Sequence, residues 1–456
     1  MNKTADNLFY KRKNTTLQNE EFKLKAFEYC EGYKEFIDLA KTERECVSYA
    51  RRSASENGYA PLDEDALCAG DKVYYVNREK SAFFAKIGTE SIDSGINIIV
   101  SHVDSPRLDF KQIPLYEDRG LCYFKTHYYG GIKKYQWTAT PLSLHGVIYK
   151  SNGQKVDICI GEDEDDPIFY ISDLMPHIAK DQYDKKLGDA INGEGLNIIT
   201  GSVPFDENEQ AVKHNVLALL NEKYGITERD FITAEISATP SQKSRDVGFD
   251  RSMIAAYGHD DRICAFPAFT ALMDSANVKK TAVVIFADKE EIGSVGITGM
   301  ASECVKFFIK KLCEKTNGNY IKCIENSVCL SADVGGAFDP CYSEAYEEQN
   351  SALINNGIVV VKYTGSRGKS GCNDASAELI SKVTQILDNN NVTWQTGEYG
   401  KVDQGGAGTV ASEISAMNIE TVDVGVPILS MHSTVELAAK SDIYMMYKAC
   451  TAFFES

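Results

Sequence analysis

Short apolar runs rich in β-branched residues recur along the chain, separated by segments whose apolar positions follow a helical period. Residues 96–100, 283–287, 328–330 and 421–426 are four such runs. Their near-continuous hydrophobicity is that of parallel strands covered on both faces. Residues 20–57 predict two helices: Phe22, Ala26, Cys30, Tyr33 and Ile37 recur at helical spacing, and Thr42 with Glu45 forms a capping box that opens the second helix. Residues 72–77 and 81–87, parted by a polar break, predict a hairpin.

Between residues 112 and 247 the pattern changes. Segments 121–129, 136–144, 147–150 and 156–160 are aromatic and β-branched and are punctuated by turns such as Asn152-Gly153. This predicts a strand-rich unit inserted into the first. The acidic run 161–166 reads as a solvated loop, since the ligand pattern of an EF-hand is absent.

The α/β alternation resumes at 252–257. Asp260 or Asp261 opens a helix to about Met273, in which Pro267 predicts a kink. The last helix starts after Ser441 as N-cap and buries Ile443, Tyr447 and Cys450. The fold class is therefore α/β: a mixed, mostly parallel sheet flanked by helices, formed by 1–111 and 248–456, with 112–247 as the insert. A chain of 456 residues suits two domains.

Charge narrows the partners. A formal net charge of -18 disfavours nucleic acid and anionic membrane surfaces, which would repel the chain. The thirteen cysteines have neither CxxC spacing nor the density of a small disulfide scaffold, so they predict reduced, buried thiols. The first residues lack an apolar signal core, and no stretch is long enough to span a bilayer. A cytoplasmic location follows as the expectation.

Candidate chemistry lies just after the apolar runs. His102 stands in SHVDSPR, Asp260 in GHDDR, Glu291 in DKEEIGS, Asp333 in SADVGG and His432 in MHSTVE. Taken singly, each has a commonplace explanation; an Asp-Asp pair, for example, suits a helix start. Taken together, they lie where an open α/β sheet gathers its ligand-binding loops, beyond the carboxyl ends of the strands.

The adjacent Glu290 and Glu291 are costly to bury without positive charge, which a metal supplies. Neighbouring side chains on a bend diverge, so one Glu can ligate while the other faces the attacking water as general base. His102 and Asp104, two apart, point to one side of an extended segment, where the carboxylate fixes the imidazole tautomer. A bridging carboxylate with one His and one further carboxylate per ion suits two Zn²⁺, with Co²⁺ or Mn²⁺ as alternatives. Such ions bring the pKa of water from about 15.7 towards about 7.

The loop Gly365-Ser-Arg367-Gly368-Lys369-Ser370 approximates a phosphate loop, but Tyr363 stands where a Walker motif requires Gly. Arg367 and Lys369 are instead candidates for receiving a substrate side chain or carboxylate.

The ordered motifs HVDSPR, the Asp-Asp pair, DKEEIGS, SADVGG and PILSMHSTVE resemble the aspartyl aminopeptidase and vacuolar aminopeptidase I family of zinc metallopeptidases. The resemblance extends through most of the chain, including LMPHIAKDQ in the insert. It implies one metal on His102, Asp260 and Asp333 and another on Asp260, Glu291 and His432. Glu290 would be the base and Asp104 the partner of His102. It further implies that the insert is a dimerisation domain within a dodecamer, and that peptides with a free N-terminus lose that residue.

The chain departs from eukaryotic members in two places. Val-Gly-Gly-Ala-Phe follows Asp333 in place of a histidine-containing stretch, and the insert motif has His177 and then Asp181 in place of two histidines. The broad-specificity bacterial branch is the nearer match, with His177 a substrate-side candidate. The same metals would also serve a carboxypeptidase or amide deacylase, for which Arg367 would meet the substrate carboxylate. An inactive scaffold would lack ligands, and none is missing.

Overall fold

A computed structural model describes residues 8–63 and 65–456. Its main sheet has nine strands, in the spatial order Ala60–Pro61, Lys72–Asn77, Ser81–Lys86, Thr281–Ala287, Ile96–His102, Val328–Ala332, Glu420–Gly425, Ile358–Val361 and Trp394–Thr396. From Thr281–Ala287 to Glu420–Gly425 the strands are mutually parallel. The hairpin of Lys72–Asn77 and Ser81–Lys86 joins antiparallel at one side.

The pleat explains why the central runs are apolar throughout. Ile99, Val284 and Phe286 face the helices Glu20–Leu39, Glu43–Glu56, His259–Asp274 and Lys440–Phe454. Their neighbours Ile98, Val100, Val283 and Ile285 face Cys304–Lys315 on the opposite side. Each fully buried aliphatic side chain here contributes about 1.5–3 kcal/mol. The mixed α/β class and both N-terminal helices, with the Thr42–Glu45 capping box, are as the sequence predicts.

Two smaller sheets complete the molecule. Six antiparallel strands, ordered Lys155–Ile160, Leu142–Tyr149, Ala234–Pro240, Arg107–Asp118, Leu121–Tyr129 and Asn197–Gly201, enclose their own core with helix Ala211–Tyr224. Five short strands, ordered Arg245–Val247, Met253–Ala256, Glu436–Ala439, Pro427–Leu429 and Gly335–Gly336, form the third sheet.

Several local expectations need correction. Segment 136–144 is not one strand: Lys134–Trp137 is a 3₁₀ turn and the strand runs Leu142–Tyr149, because Ala139 is left-handed and Pro141 has no N–H to give a ladder. Helix His259–Asp274 departs from helical dihedrals at Asp260 and Asp261, where the interruption lies, and Pro267 falls within its regular part. Ser441 does not cap the last helix; strand Glu436–Ala439 runs directly into Lys440–Phe454, and the Ser441 hydroxyl bonds Asn355 instead.

The acidic loop is not uniformly solvated. Glu162 is drawn inward by Lys41 at 2.7 Å, Lys243 at 2.6 Å and His145 at 3.1 Å. All thirteen cysteines are free, but Cys68, Cys159 and Cys341 are exposed. Among the described residues, no helix is long and apolar enough to cross a membrane.

Candidate metal centre

His102 ends its strand and Asp333 follows the adjacent parallel strand Val328–Ala332, so sheet register alone sets them side by side. Glu290 and Glu291 follow Thr281–Ala287, the other neighbour of the His102 strand, in the turn Glu290–Ile292 entered through left-handed Lys289. Asp260 and His432 come from elsewhere: Asp260 lies in the irregular first turn of helix His259–Asp274, after Met253–Ala256, and His432 on the loop after Pro427–Leu429, both strands of the five-stranded sheet. The apolar runs 252–257 and 421–426 did not distinguish these sheets.

Asp260 stands between two imidazoles. Its Oδ1 is 3.0 Å from His102 Nε2, which is also 3.9 Å from Asp333 Oδ1. Its Oδ2 is 3.2 Å from His432 Nε2, itself 3.4 Å from Glu291 Oε1. Within each donor group, His102–Asp260–Asp333 and Asp260–Glu291–His432, the ligand atoms lie within 4.8 Å of one another. Two donors each about 2.0 Å from a tetrahedral zinc ion lie about 3.3 Å apart, so this spacing fits. Asp260 Oδ1 and Glu291 Oε1 are moreover buried without a hydrogen-bond donor, an expensive state that a cation relieves.

Both imidazoles are oriented alike. His102 Nδ1–H donates to the Asp104 carbonyl at 2.9 Å and His432 Nδ1–H to the Gly131 carbonyl at 2.8 Å, which turns both Nε2 atoms towards Asp260. The expected His102–Asp104 side-chain pairing is looser, at 3.4 Å, and the strand ends at His102. The Asp104 carboxylate acts mainly elsewhere. It accepts the Glu290 and Glu291 backbone N–H groups, each at 3.2 Å, and the Tyr129 hydroxyl at 2.8 Å.

Electrostatics follow from the crowding. Burial, reinforced by Asp104 and Asp260 against the pull of His102, pushes the Glu290 carboxyl up to about 7. Burial and Asp260 likewise raise Glu291, and burial and Asp261 raise Asp333. Burial would lower His432, but contact with Asp260 and the charge of Glu291 carry it up to about 10. Burial opposes ionisation of Asp260, yet His102 and His432 hold it below the usual range.

Several participants carried no strong sequence signal. Tyr129 and the Gly130-Gly131 pair leave the six-stranded sheet and reach the centre. A side chain at Gly130, whose φ is 75°, would meet Glu291 at 3.4 Å. The fully buried Arg262 guanidinium donates to Ser105 Oγ at 2.9 Å, and Ser105 in turn donates to the Asp260 carbonyl at 2.6 Å. Glu436 accepts the backbone N–H groups of Asp260 and His432. The glycine pair and an acidic residue opening an otherwise apolar strand were the available hints.

Among the described residues, the remaining candidates make no hydrogen bond or ion pair with the donors. Lys369 pairs with Asp374 at 3.2 Å and lies over the Tyr363 ring. With Arg367 it lines a pocket of about 40 Å³ that also includes Tyr399, whose hydroxyl donates to the Val334 carbonyl. His177 is exposed on the turn Pro176–Ile178 of the insert. A cleft of about 610 Å³ between the insert and the main unit adjoins the Glu290 turn through Tyr129, Lys289 and Ile292.

A third cluster, Glu45, His145 and Cys159, has donor-like spacing. Its imidazole is already held by Glu45 at 2.7 Å and Glu162 at 3.1 Å, with Lys41 and Lys243 completing the ion pairs. No uncompensated negative charge remains to attract a cation.

A parallel-sheet unit with carboxylate and imidazole donors at its strand ends, shared through one Asp, has the construction of a metallohydrolase. Sequence comparison specifies which kind: residues 36–454 match the family described as aminopeptidase I zinc metalloprotease (M18), and the chain belongs to that family. A probable M18 family aminopeptidase 1 of Clostridium acetobutylicum is 46% identical over 470 residues, covering 99% of this chain and all of the relative. The crystal structure of an M18 aminopeptidase from Thermotoga maritima superposes with a TM-score of 0.94 at 41% identity, covering 98% of this chain and 100% of that one. The S. cerevisiae mApe1 dodecamer shares the fold, with a TM-score of 0.74 at 20% identity over 93% of this chain and 95% of that one. The chain is thus a zinc metallopeptidase of the aminopeptidase type.

Proposed function

We propose that the chain removes the N-terminal residue of peptides with a free α-amine, using two zinc ions and Glu290 as general base. The observation that carries this reading is the division of Asp260, one oxygen towards each imidazole, with a separate third donor on each side. His102, Asp260 and Asp333 would hold one ion and Asp260, Glu291 and His432 the other. When bound, zinc polarises the scissile carbonyl and makes water acidic enough to attack at neutral pH.

The protein's own groups then move the proton. Among the described residues no hydrogen bond or ion pair holds the Glu290 carboxylate, while Asp104 fixes its backbone. Glu290 takes a proton from the attacking water as oxygen bonds to the carbonyl carbon. It passes that proton to the departing nitrogen as the C–N bond breaks.

Arg367 and Lys369 are assigned to the substrate side of the site, as a source of positive charge for acidic residues. We assign segment 112–247 to self-association, ultimately a dodecamer, with His177 on the contact surface. Met175 and Ile178 beside it are 57% and 60% exposed, apolar area suited to a second copy. The abundance of free thiols supports a cytoplasmic location.

The deciding experiment is turnover of matched free and N-acetylated peptides, before and after chelation and zinc restoration. Only the free peptides should be cleaved, and chelation should abolish their cleavage reversibly. Cleavage of blocked peptides would favour the deacylase reading, and activity indifferent to chelation would remove metal from the mechanism.

A further inference from the structure

We propose that Glu436 is the positioning residue of the second donor group, holding the segments that carry Asp260 and His432 at a fixed separation. The inference rests on the reading of Asp260, Glu291 and His432 as a zinc site. Glu436 opens strand Glu436–Ala439 and pairs with Ala256, the last residue of the strand that leads to Asp260. On its other side the same strand pairs with Pro427–Leu429, and the connection between the two carries His432. Glu436 therefore stands where both ligand-bearing loops leave the small sheet.

Each carboxylate oxygen has one task. Oε2 accepts the Asp260 N–H at 3.1 Å, and Oε1 accepts the His432 N–H at 2.7 Å. The side chain is 1% exposed, so packing alone would favour an apolar residue; the two bonds from backbone N–H groups offset its desolvation. His432 has a φ of 63° and Ser430 one of 59°, left-handed conformations that a non-glycine residue keeps only when its surroundings dictate them. The Gly131 carbonyl fixes the ring of His432, and Glu436 fixes its backbone.

His102 and Asp333 have no such dependence, because adjacent strands of the main sheet position them. A glutamine at 436 keeps the size but turns an N–H₂ towards one of the two N–H donors, so one bond is lost.

The test is a zinc titration of the metal-free full chain against a chromophoric chelator, with circular dichroism and melting to establish folding. The parent should bind two ions tightly. Glu436→Gln should weaken the ion of the Asp260–Glu291–His432 group by about 10- to 100-fold, the usual penalty for losing a group that orients a ligand, and the other, which depends on Glu436 through Asp260 alone, by clearly less. His432→Ala sets the benchmark for complete loss of that ion. Folded Glu436→Gln that binds both ions like the parent, or loses both equally, overturns the inference. If that variant does not fold, Glu436→Asp decides by the same titration, since its shorter carboxylate cannot reach both N–H groups. A parent binding fewer than two ions overturns the two-zinc reading and this inference with it.

Discussion

The two donor groups share Asp260 but are built differently. His102 and Asp333 emerge from adjacent parallel strands, and the His102 side chain is 2% exposed. Glu291 and His432 occupy a 3₁₀ turn flanked by left-handed Lys289 and Gly293 and a loop of the small sheet, and the His432 side chain is 33% exposed. The backbones of His102 and Asp333 are set by the register of a buried sheet, whereas Glu291 and His432 are held by individual hydrogen bonds to Asp104, Glu436 and the insert's Gly131. Damage outside the ligands should therefore reach the second group first.

The largest expected effect is at Glu290, the proposed general base. Glu290→Gln should lower kcat by about 10²- to 10⁴-fold while both ions remain, as steady-state kinetics with metal analysis would measure. Retention of substantial turnover would remove Glu290 from proton transfer.

Next comes the junction between the insert and the main unit. Glu162→Gln strands the buried Lys41, whose side chain is 2% exposed, and should cost about 3 kcal/mol in denaturant stability at pH 7. Burial opposes its ionisation, but His145, Lys41 and Lys243 hold the Glu162 carboxyl below the usual range. Its stabilisation is thus present above the ordinary Glu pKa and disappears as pH falls through the folded value, so the gap between parent and variant should close in acid. A gap independent of pH would contradict the ion-pair account.

A smaller effect is expected at Tyr129, the insert's donor to Asp104. Tyr129→Phe should reduce kcat/KM by about 10-fold, with the second ion loosened before the first, as chelator competition would reveal. Equal loosening of both would erase the contrast between the groups.

The pH profile sharpens the picture with the least perturbation. Glu290 must be ionised to accept a proton, and burial places its carboxyl at up to about 7 without cations. Divalent ions favour the ionised form, so the acid limb of kcat/KM should lie at or below that value and vanish in Glu290→Gln. A limb that persists in the variant would belong to another group.

The main sheet was legible because burial on both faces leaves a continuous apolar run, as at Ile98–Ile99 and Val283–Ile285. The candidate donors were legible because carboxylates and imidazoles after such runs have few structural uses in number. The small sheet was not, since Pro427–Leu429 and Glu436–Ala439 are too short to show a period. Ser441 resembled a cap because a serine before an apolar-periodic segment usually is one; continuity with the preceding strand overrode it.

By itself the sequence determined the chemistry available: which donors exist, their order, and the α/β frame that bears them. Local pattern suffices there, because propensity and hydrophobic period act over a few residues. Only the tertiary structure decided which oxygen faces which imidazole, that Asp104 bonds the Glu290–Glu291 backbone, and that Gly131 and Glu436 orient His432. Those are contacts between segments up to 301 residues apart, and their directions are set by packing and turns that no local pattern encodes.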